Sequence, residues 1–452
     1  MRRAGLLGTI ATLLVTALAV AATAPASAGS GGKAEVDRKR LAKRAERVVE
    51  KRNRIELRRV SRCGPRRRGR PQSGRWVCKW RAEGVWPGDV PYHCAGRAVY
   101  KRKKHSWLVE RCKNRMQPMA PLLDVPNPHP TFGYNDDWIA LGKYAPPELL
   151  GLLEQSGSQV ARTGLIWWRA EGERGKYDWL VSDMLYERLL AHGIKPLWTI
   201  LDAPCWAQPD PAACAAGESR LRPSPQYYDE MADFAVAAAK RYPESVGIEV
   251  WNEPNSPDFW GGPPEPDRYA QMLERVAGAL HAQAPGMPVV SAGLAPLGDT
   301  GTSPHGYSNF LARLYELGAA QRADAIGIHP YPGVGPAADY VGEVRIYLGK
   351  VQEVMARFAD PGRPLWVTEF GVSTGGQRAF APADQGQALA ELYELFRRVA
   401  GIELAIAHRF VEDGAIGLGA DPFGVLARDL SPKPAYCELA RVRGFAPEPC
   451  AS

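Results

Sequence analysis

The chain has 452 residues, which is longer than one average domain and enough to bury a large core. Its content of 45% hydrophobic and 23% charged residues is ordinary for a soluble globular protein, and it excludes wholesale disorder and a multispanning membrane protein. The net charge of +8 is unevenly distributed, because residues 29–120 hold 28 Lys and Arg against 8 Asp and Glu, whereas residues 121–452 hold 27 against 41. The chain therefore consists of two modules of opposite charge.

Residues 1–28 have the pattern of an export signal. Arg2 and Arg3 precede a run of apolar and small residues at 4–22, and the ASA sequence at 26–28 resembles a cleavage site. An uncleaved membrane anchor is the alternative. No later stretch approaches the roughly 18 apolar residues of a membrane span. We expect a secreted mature protein without a membrane span.

Cysteine usage agrees with export. All eight cysteines follow the signal, and an even number in an exported chain indicates disulfides. We expect Cys205 to pair with Cys214 and Cys437 to pair with Cys450. Three pairings remain open for the other four, and zinc binding is the competing interpretation. These four are Cys63, Cys78, Cys94 and Cys112.

The basic half has three predicted parts. Residues 29–60 are charged and sparse in apolar residues, which predicts a solvated helix or a disordered arm. Residues 61–116 contain short alternating segments and four cysteines, which predict a small, disulfide-stapled, β-rich domain. A Pro-rich linker follows at 117–130.

The positive charge of residues 29–116 implies a polyanionic partner, such as an acidic glycan or a wall polymer. A solvated surface without a specific partner is the alternative. Nucleic acid is not expected as the primary partner of an exported chain.

From residue 131 to residue 442, short apolar strands alternate with amphipathic helices, and residues 443–452 form a C-terminal tail. The alternation predicts an α/β protein with a parallel sheet, and eight units favour a closed (β/α)₈ TIM barrel over a doubly wound open sheet. We predict helices at 179–192, 226–241, 267–283, 339–358 and 384–399. We predict strands at 131–134, 159–166, 194–201, 246–252, 288–294, 324–329, 364–369 and 403–410.

Two glutamates lie at predicted strand ends, Glu253 on the fourth strand and Glu369 on the seventh. In a TIM barrel, the C-terminal ends of the strands form the mouth of the active site. Two facing carboxyls are what glycoside hydrolysis requires, one protonated to assist the leaving oxygen and one ionised to attack the anomeric carbon. Salt bridges from each glutamate to a loop Arg or Lys are the structural alternative.

The motif WNEPN at 251–255, together with TEFG at 368–371, resembles glycoside hydrolase clan A, the retaining (β/α)₈ glycosidases. Across residues 130–442 the chain is most similar to family 39 of that clan, and further similar segments are IGIHPYP and SPKPAY. The resemblance implies that Glu253 is the acid/base and Glu369 the nucleophile of a double displacement on a β-linked glycan. It implies no metal and no cofactor.

The resemblance also suggests roles for neighbouring residues. Arg162 would hold the nucleophile ionised, and Tyr331 would hydrogen-bond to it. Asn252 would donate to the sugar hydroxyl beside the reacting carbon, and His329 would line the same wall. Simple loop hydrogen bonding is the alternative for Arg162 and His329.

Aromatic residues crowd the predicted loops, and Trp206 and Trp260 are the candidates for stacking on sugar rings. Packing within the barrel is the alternative for each. Clan A enzymes commonly place a Trp at the end of strand eight beneath the sugar. Here that strand ends in LAIAHRFVED, which offers His408, Arg409 or Phe410 instead.

Two other functions are weighed against the glycosidase. The sequence GVSTG at 371–375 matches the serine-hydrolase elbow and would make Ser373 the nucleophile of an esterase. That elbow needs a strand, a turn and a helix, whereas a long irregular stretch follows Ser373. The second alternative is a non-catalytic protein that binds glycan or cell wall on a TIM-barrel platform.

Overall fold

The structure is a computed structural model. It describes residues 127, 129–136, 147–215, 221–298, 303–333, 335–376, 379–412 and 422–450, together with the backbone of 59–65, 75–86, 90–101 and 106–109. The chain divides into two compact units, Met1–Pro118 and Met119–Ser452. The predicted export signal, most of the basic arm and most of the linker lie outside the described residues.

The first unit contains a four-stranded antiparallel sheet with its strands in chain order. The strands are β1 (Arg59–Pro65), β2 (Arg75–Trp86), β3 (Val90–Lys101) and β4 (Ser106–Val109). Alternating residue types suit such strands because successive positions lie on opposite faces of a sheet. The β-rich character expected here is thus present. The cysteine pairing expected in this unit lies outside the described residues.

The second unit contains an eight-stranded parallel sheet in the order β10-β11-β12-β5-β6-β7-β8-β9. Single parallel bridges from Val290 to Ala325 and from Leu294 to Ile328 join β9 to β10 and close the sheet. The predicted TIM barrel is therefore confirmed, and the open-sheet alternative is wrong. The strands are β5 (Thr131–Asn135), β6 (Val160–Ile166), β7 (Lys195–Leu201), β8 (Gly247–Val250), β9 (Val289–Ser291), β10 (Ile326–Ile328), β11 (Leu365–Phe370) and β12 (Ile402–His408).

Helices follow the strands on the outside of the barrel. The five predicted helices are present, with ends within a few residues of the predicted ones. The helices are α1 (Pro147–Gln155), α2 (Trp167–Ala170), α3 (Leu180–Ala191), α4 (Pro211–Ala215), α5 (Tyr228–Arg241), α6 (Pro257–Trp260), α7 (Pro266–Gln283), α8 (Tyr307–Glu316), α9 (Tyr340–Arg357), α10 (Pro382–Phe396) and α11 (Pro434–Val442). No helix in the described part of the chain is long and apolar enough to cross a membrane.

A buried apolar cluster fills the barrel near the starts of its strands. Val160 is the first residue of β6, Val290 is the middle residue of the three-residue β9, and Leu404 is the third residue of β12. The larger core lies between the strands and the surrounding helices, whose apolar stripes face inward. The carboxyl ends of the strands therefore remain available for polar side chains.

Two disulfides are present as expected, Cys205–Cys214 and Cys437–Cys450, with Cα atoms 5.3 and 5.5 Å apart. The second joins helix α11 to the C-terminal tail. Just after α11, the guanidinium of Arg443 lies 3.7 Å from the ring centroid of Phe132, and its Nη1 donates to the carbonyl of Gly157 over 3.0 Å. These contacts attach the end of the chain to the barrel.

Candidate active site

Glu253 and Glu369 meet at the carboxyl end of the barrel. Glu369 is the second-last residue of β11, and Glu253 follows the end of β8 by three residues. The prediction extended that fourth strand to residue 252. The strand ends earlier because Trp251 has φ +76° and Glu253 has φ +42°, so the backbone turns sharply there. One carboxylate oxygen of each glutamate lies within 4.8 Å of the other.

Both oxygens of Glu369 accept hydrogen bonds. Oε1 accepts from Nη1 of Arg162 over 2.5 Å and from Nδ2 of Asn135 over 3.2 Å, and Oε2 accepts from the Tyr331 hydroxyl over 2.6 Å. Burial by itself would raise the pKa of Glu369, but the positive charges of His329 and Arg162 outweigh burial and hold that pKa well below its usual range. Glu369 is therefore ionised at neutral pH.

Arg162 is the centre of this arrangement and is only 3% exposed. Its Nε donates to Oε2 of Glu249 over 2.6 Å, and its Nη2 donates to Oδ1 of Asn252 over 2.7 Å. Burial opposes its charge, but Glu249 and Glu369 raise the pKa of Arg162 above the ordinary value. A planar guanidinium can contact three partners in fixed directions, which a Lys ammonium cannot do.

Glu249 is a functional neighbour that the sequence analysis missed. It lies within β8, is fully buried, and also accepts from the Thr199 hydroxyl over 2.8 Å and from the Gly293 amide over 3.0 Å. The available signal was a single acidic residue inside the otherwise apolar strand GIEV. Such a residue needs a buried cationic partner.

Glu253 has a different environment from Glu369. Its Oε1 lies 2.8 Å from Nδ1 of His329, whose Nε2 lies 3.1 Å from the hydroxyl of Thr368. Burial, together with the negative charge of Glu369, raises the pKa of Glu253 above the ordinary value, although His329 opposes the shift. The pKa values of the two carboxyls are thus displaced in opposite directions, which is the pattern that separates an acid from a base.

His329 is fully buried beside both glutamates. Burial tends to lower its pKa, but the charges of Glu369 and Glu253 raise that pKa above the ordinary value. The ring fits because residue 293 is Gly: a Cβ at that position would lie 2.1 Å from the His329 Nε2 atom. Nδ1 of His329 lies 2.8 Å from Oε1 of Glu253 and 3.8 Å from Oε2 of Glu369.

Asn252 and Tyr331 also contact this cluster, Asn252 through Arg162 and Tyr331 through Glu369. Because the Asn252 oxygen accepts from Arg162, the amide nitrogen of Asn252 is turned away from the guanidinium and can donate elsewhere. Burial and the nearby charge of Glu369 raise the pKa of Tyr331 well above the ordinary value, so its hydroxyl stays protonated and acts as a donor.

The two predicted stacking tryptophans are not part of this carboxylate cluster. Trp260 is fully buried, donates from Nε1 to Oε2 of Glu265 over 3.2 Å, and packs edge-on against Trp251. It has no exposed face for a sugar, so its place is structural. Trp206 is partly exposed, but it donates to the carbonyl of Glu171 over 3.1 Å and packs against Trp167 instead.

The end of strand eight presents His408. Its Nδ1 lies 2.9 Å from Nδ2 of Asn135 and 3.8 Å from Oε2 of Glu369, and its side chain is 25% exposed. Phe410 is fully buried, and Arg409 lies 3.6 Å from the carboxylate of Asp136. Of His408, Arg409 and Phe410, it is therefore His408 that lies beside the carboxylate of Glu369.

The serine-hydrolase arrangement is not formed. The Ser373 hydroxyl accepts from the amide of Gly375 over 3.0 Å, within the loop that follows β11. The next helix, α10, begins only at Pro382. A nucleophile elbow requires the helix to follow the turn directly, so the esterase interpretation loses its structural basis.

A metal would need ligand atoms close together. Within the described residues, Glu253, His329 and Glu369 form such a group, with ligand atoms within 4.8 Å of one another. The guanidinium of Arg162 already contacts Glu369 and supplies positive charge there. A second cation at the same carboxylate would be repelled by Arg162.

Comparison with solved structures identifies the fold. A family 39 glycoside hydrolase from the gut symbiont Bacteroides cellulosilyticus WH2 matches with TM-score 0.55 and 20% identity over 83% of this chain and 79% of its own. A monomeric beta-xylosidase from Caulobacter crescentus CB15 matches with TM-score 0.52 and 21% identity over 70% of this chain and 68% of its own. An exo-beta-1,4-mannosidase from Opitutaceae bacterium strain TAV5 matches with TM-score 0.52 and 16% identity over 70% of this chain and 59% of its own.

No protein-family model matches the sequence, and no curated protein matches it either. The likeness therefore lies in the fold. The second unit of this chain shares its TIM barrel with solved glycosidases of family 39 and related groups.

Proposed function

We propose that the chain is a retaining glycoside hydrolase, with Glu253 as acid/base and Glu369 as nucleophile. The observation that carries the proposal is the pair of carboxyls at the barrel mouth, within 4.8 Å, with pKa values displaced in opposite directions. Retaining enzymes hold their carboxyls about 5–5.5 Å apart, whereas inverting enzymes need about 6.5–9.5 Å to admit a water molecule. The short separation here supports retention.

In the first step, an oxygen of ionised Glu369 forms a bond to the anomeric carbon while the bond from that carbon to the leaving oxygen breaks. Glu253 gives its proton to the leaving oxygen, so the leaving group departs as an alcohol. The product of this step is a glycosyl ester on Glu369, and Glu253 is left as a carboxylate. Arg162 and Tyr331 keep Glu369 ionised and oriented before the attack.

In the second step, the Glu253 carboxylate takes a proton from a water molecule whose oxygen attacks the anomeric carbon. The ester bond to Glu369 breaks, and both glutamates regain their starting protonation. His329 stabilises the carboxylate form of Glu253 between the steps, because its Nδ1 lies 2.8 Å from Oε1. Asn252, oriented by Arg162, donates to the adjacent sugar hydroxyl.

The names of the structural neighbours support a class of substrate for this chain. Those named as a beta-xylosidase and an exo-beta-1,4-mannosidase act on β-linked sugars, so β-linked glycans are the proposed substrate class for this chain. We also propose that the protein is exported. The two disulfides support this, because such bonds persist in oxidising compartments.

The test is a panel of neutral and acidic β-linked oligosaccharides and aryl β-glycosides, assayed with the wild type and with Glu369→Gln. Proton NMR of the first product should show the β anomer before mutarotation. Release of the α anomer would contradict retention. Hydrolysis that persists in Glu369→Gln would place the catalytic centre elsewhere, and binding without hydrolysis by the wild type would favour the non-catalytic glycan-binding alternative.

A further inference from the structure

The sheet of the first unit separates its residues by charge. In antiparallel strands, directly paired residues share a face and successive residues alternate between faces. The register of the sheet pairs Arg75 with Lys101 and Lys79 with Arg97 between β2 and β3. It pairs Arg81 with Arg59 between β2 and β1.

All six of these basic residues fall on one face of the sheet, which we call the cationic face. Within β2, positions 75, 79 and 81 differ by even numbers, so they share a face, and their partners share it with them. The acidic residue of these strands, Glu83, lies on the same face. The cationic face consists of Arg59, Arg75, Lys79, Arg81, Arg97 and Lys101.

The opposite face is apolar in its composition. The paired intervening positions of the four strands carry aromatic, aliphatic, small and cysteine residues and no charged residue. Arg62 lies at the register shift between Ser61 and Cys63, has no paired partner and is assigned to neither face. An apolar face is the one that a small domain buries. Its members include Cys63, Trp76, Cys78, Trp80, Trp86, Tyr92, Cys94, Tyr100 and Trp107.

The cationic pairs have no structural benefit of their own. Like charges directly opposite in a sheet are destabilising, and here three such pairs recur in one small sheet. Positions 75 and 81 of β2 are six residue steps apart, which is about 20 Å at about 3.4 Å per residue. A field of cations of that length matches an extended polymer that carries regularly repeated negative charges.

The distribution of aromatic residues helps to distinguish the classes of polyanion that could bind the cationic face. Proteins that bind single-stranded nucleic acid place aromatic rings in the same groove as their cations, so that bases stack on them. In this sheet every Trp and Tyr of the four strands falls on the face opposite the cations. A membrane-binding surface likewise combines basic residues with large apolar residues that insert among the lipids.

We propose that the cationic face binds a linear acidic polysaccharide and thereby holds the enzyme at its substrate matrix. The choice of a polysaccharide, rather than another polyanion, rests on the proposed glycosidase function. Binding itself requires only the cationic face and not the carboxylates of the barrel.

The test uses the full chain carrying Glu369→Gln, so that no polymer is cleaved during the measurement. Dissociation constants are measured for polygalacturonate across a series of salt concentrations, with methyl-esterified polygalacturonate as the matched neutral polymer. We expect binding to the acidic form only. The triple variant Lys79→Gln, Arg81→Gln, Arg97→Gln should bind at least about tenfold more weakly, with a shallower dependence on salt.

Two controls make the result specific. The triple variant Lys43→Gln, Arg44→Gln, Lys51→Gln removes the same number of positive charges from the basic arm (residues 29–60). If it weakened binding as much as the triple variant of the cationic face does, the assignment of binding to the sheet would be wrong. The swap Lys79→Arg, Arg81→Lys, Arg97→Lys keeps the charge and should retain binding, and its loss would overturn an ionic mechanism. Tighter binding to duplex DNA or to phosphatidylserine vesicles at the same salt concentration would overturn the choice of a polysaccharide.

Failure of the two proposals is distinguishable. Absence of hydrolysis with intact binding of polygalacturonate would overturn the glycosidase and leave the cationic face in place. Hydrolysis of neutral β-glycosides without salt-dependent binding of polygalacturonate would overturn the proposal for the cationic face and leave the glycosidase in place.

Discussion

Arg162 and Glu369 form a buried ion pair at the mouth of the barrel, with Nη1 of the arginine 2.5 Å from Oε1 of the glutamate. Arg162 lies in β6 and Glu369 in β11, and two other strands separate these strands in the sheet. The same guanidinium also contacts Glu249. Arg162 therefore keeps the proposed nucleophile ionised and also links strand β6 to strands β8 and β11.

Replacement of Arg162 should destabilise the protein. Arg162→Ala leaves the carboxylates of Glu249 and Glu369 buried without their cationic partner, and breaking such a buried arrangement costs about 3–5 kcal/mol. Urea unfolding followed by tryptophan fluorescence measures the loss. Arg275→Ala is the matched control, because Arg275 pairs with Asp229 and both side chains are exposed. That variant should lose no more than about 1 kcal/mol. Similar losses in both variants would contradict the structural role of Arg162.

The two glutamates should differ in their dependence on the leaving group. Loss of a general acid costs about 10²–10⁴-fold in rate, and Glu253→Gln should show this loss on glycans with alcohol leaving groups. Aryl glycosides with acidic leaving groups need little protonation, so their first step should be much less affected. Glu369→Gln should be inactive on both classes. The control is Glu187→Gln, an exposed position on α3, which should behave as the wild type. If Glu253→Gln and Glu369→Gln lost the same factor in rate on both classes of substrate, the assignment of Glu253 as the acid and Glu369 as the nucleophile would be wrong.

The pH profile of kcat/KM should be bell-shaped. Activity rises with pH as Glu369 loses its proton, and this limb should lie below the ordinary glutamate pKa of about 4.3, because His329 and Arg162 lower the pKa of Glu369 against the effect of burial. Activity falls as Glu253 loses its proton, and this limb should lie above the ordinary value, because burial raises its pKa. Tyr331→Phe removes a donor to Glu369, so the acidic limb should move to higher pH while the basic limb stays in place. Movement of the basic limb alone would contradict the pairing of Tyr331 with Glu369.

Much of the barrel was predictable because its sequence signals are local. Short apolar strands alternate with amphipathic helices, and that alternation predicted every strand of the barrel. Strand ends were less predictable, as β8 shows: Trp251 is as apolar as the strand before it, yet its positive φ ends the strand. Residue type alone does not reveal such a turn.

The motif residues of the site were also predictable, whereas their supports were not. Glu253, Glu369, Arg162 and Tyr331 lie on or near recognisable motifs, and the structure places them together at the mouth of the barrel. Asn135 contacts Glu369 across 234 positions of sequence, and no local pattern marks such a contact. Trp260 failed as a candidate because a loop tryptophan and a buried tryptophan look alike in sequence.

A substitution at Gly293 tests whether the position of the His329 ring affects the activity of Glu253. A Cβ at this position would lie 2.1 Å from the Nε2 atom of His329 and 2.6 Å from the hydroxyl of Thr368, so Gly293→Ala must displace the ring. The contact between His329 and Glu253 would then be lost, and a misplacement of about 1 Å in a site can cost about 10²-fold in rate. We expect kcat/KM to fall by about that factor on glycans with alcohol leaving groups.

Gly278→Ala provides the comparison for that variant. Gly278 lies within α7, and a Cβ there meets nothing within 4 Å. The change should leave kcat/KM unaltered and stabilise the fold by about 0.5–1 kcal/mol, because Ala is the better helix former. If Gly293→Ala retained full kcat/KM with an unchanged pH profile, the orientation of His329 would not matter to Glu253. The raised pKa of Glu253 would then depend on burial and on Glu369, without positioning by the histidine ring.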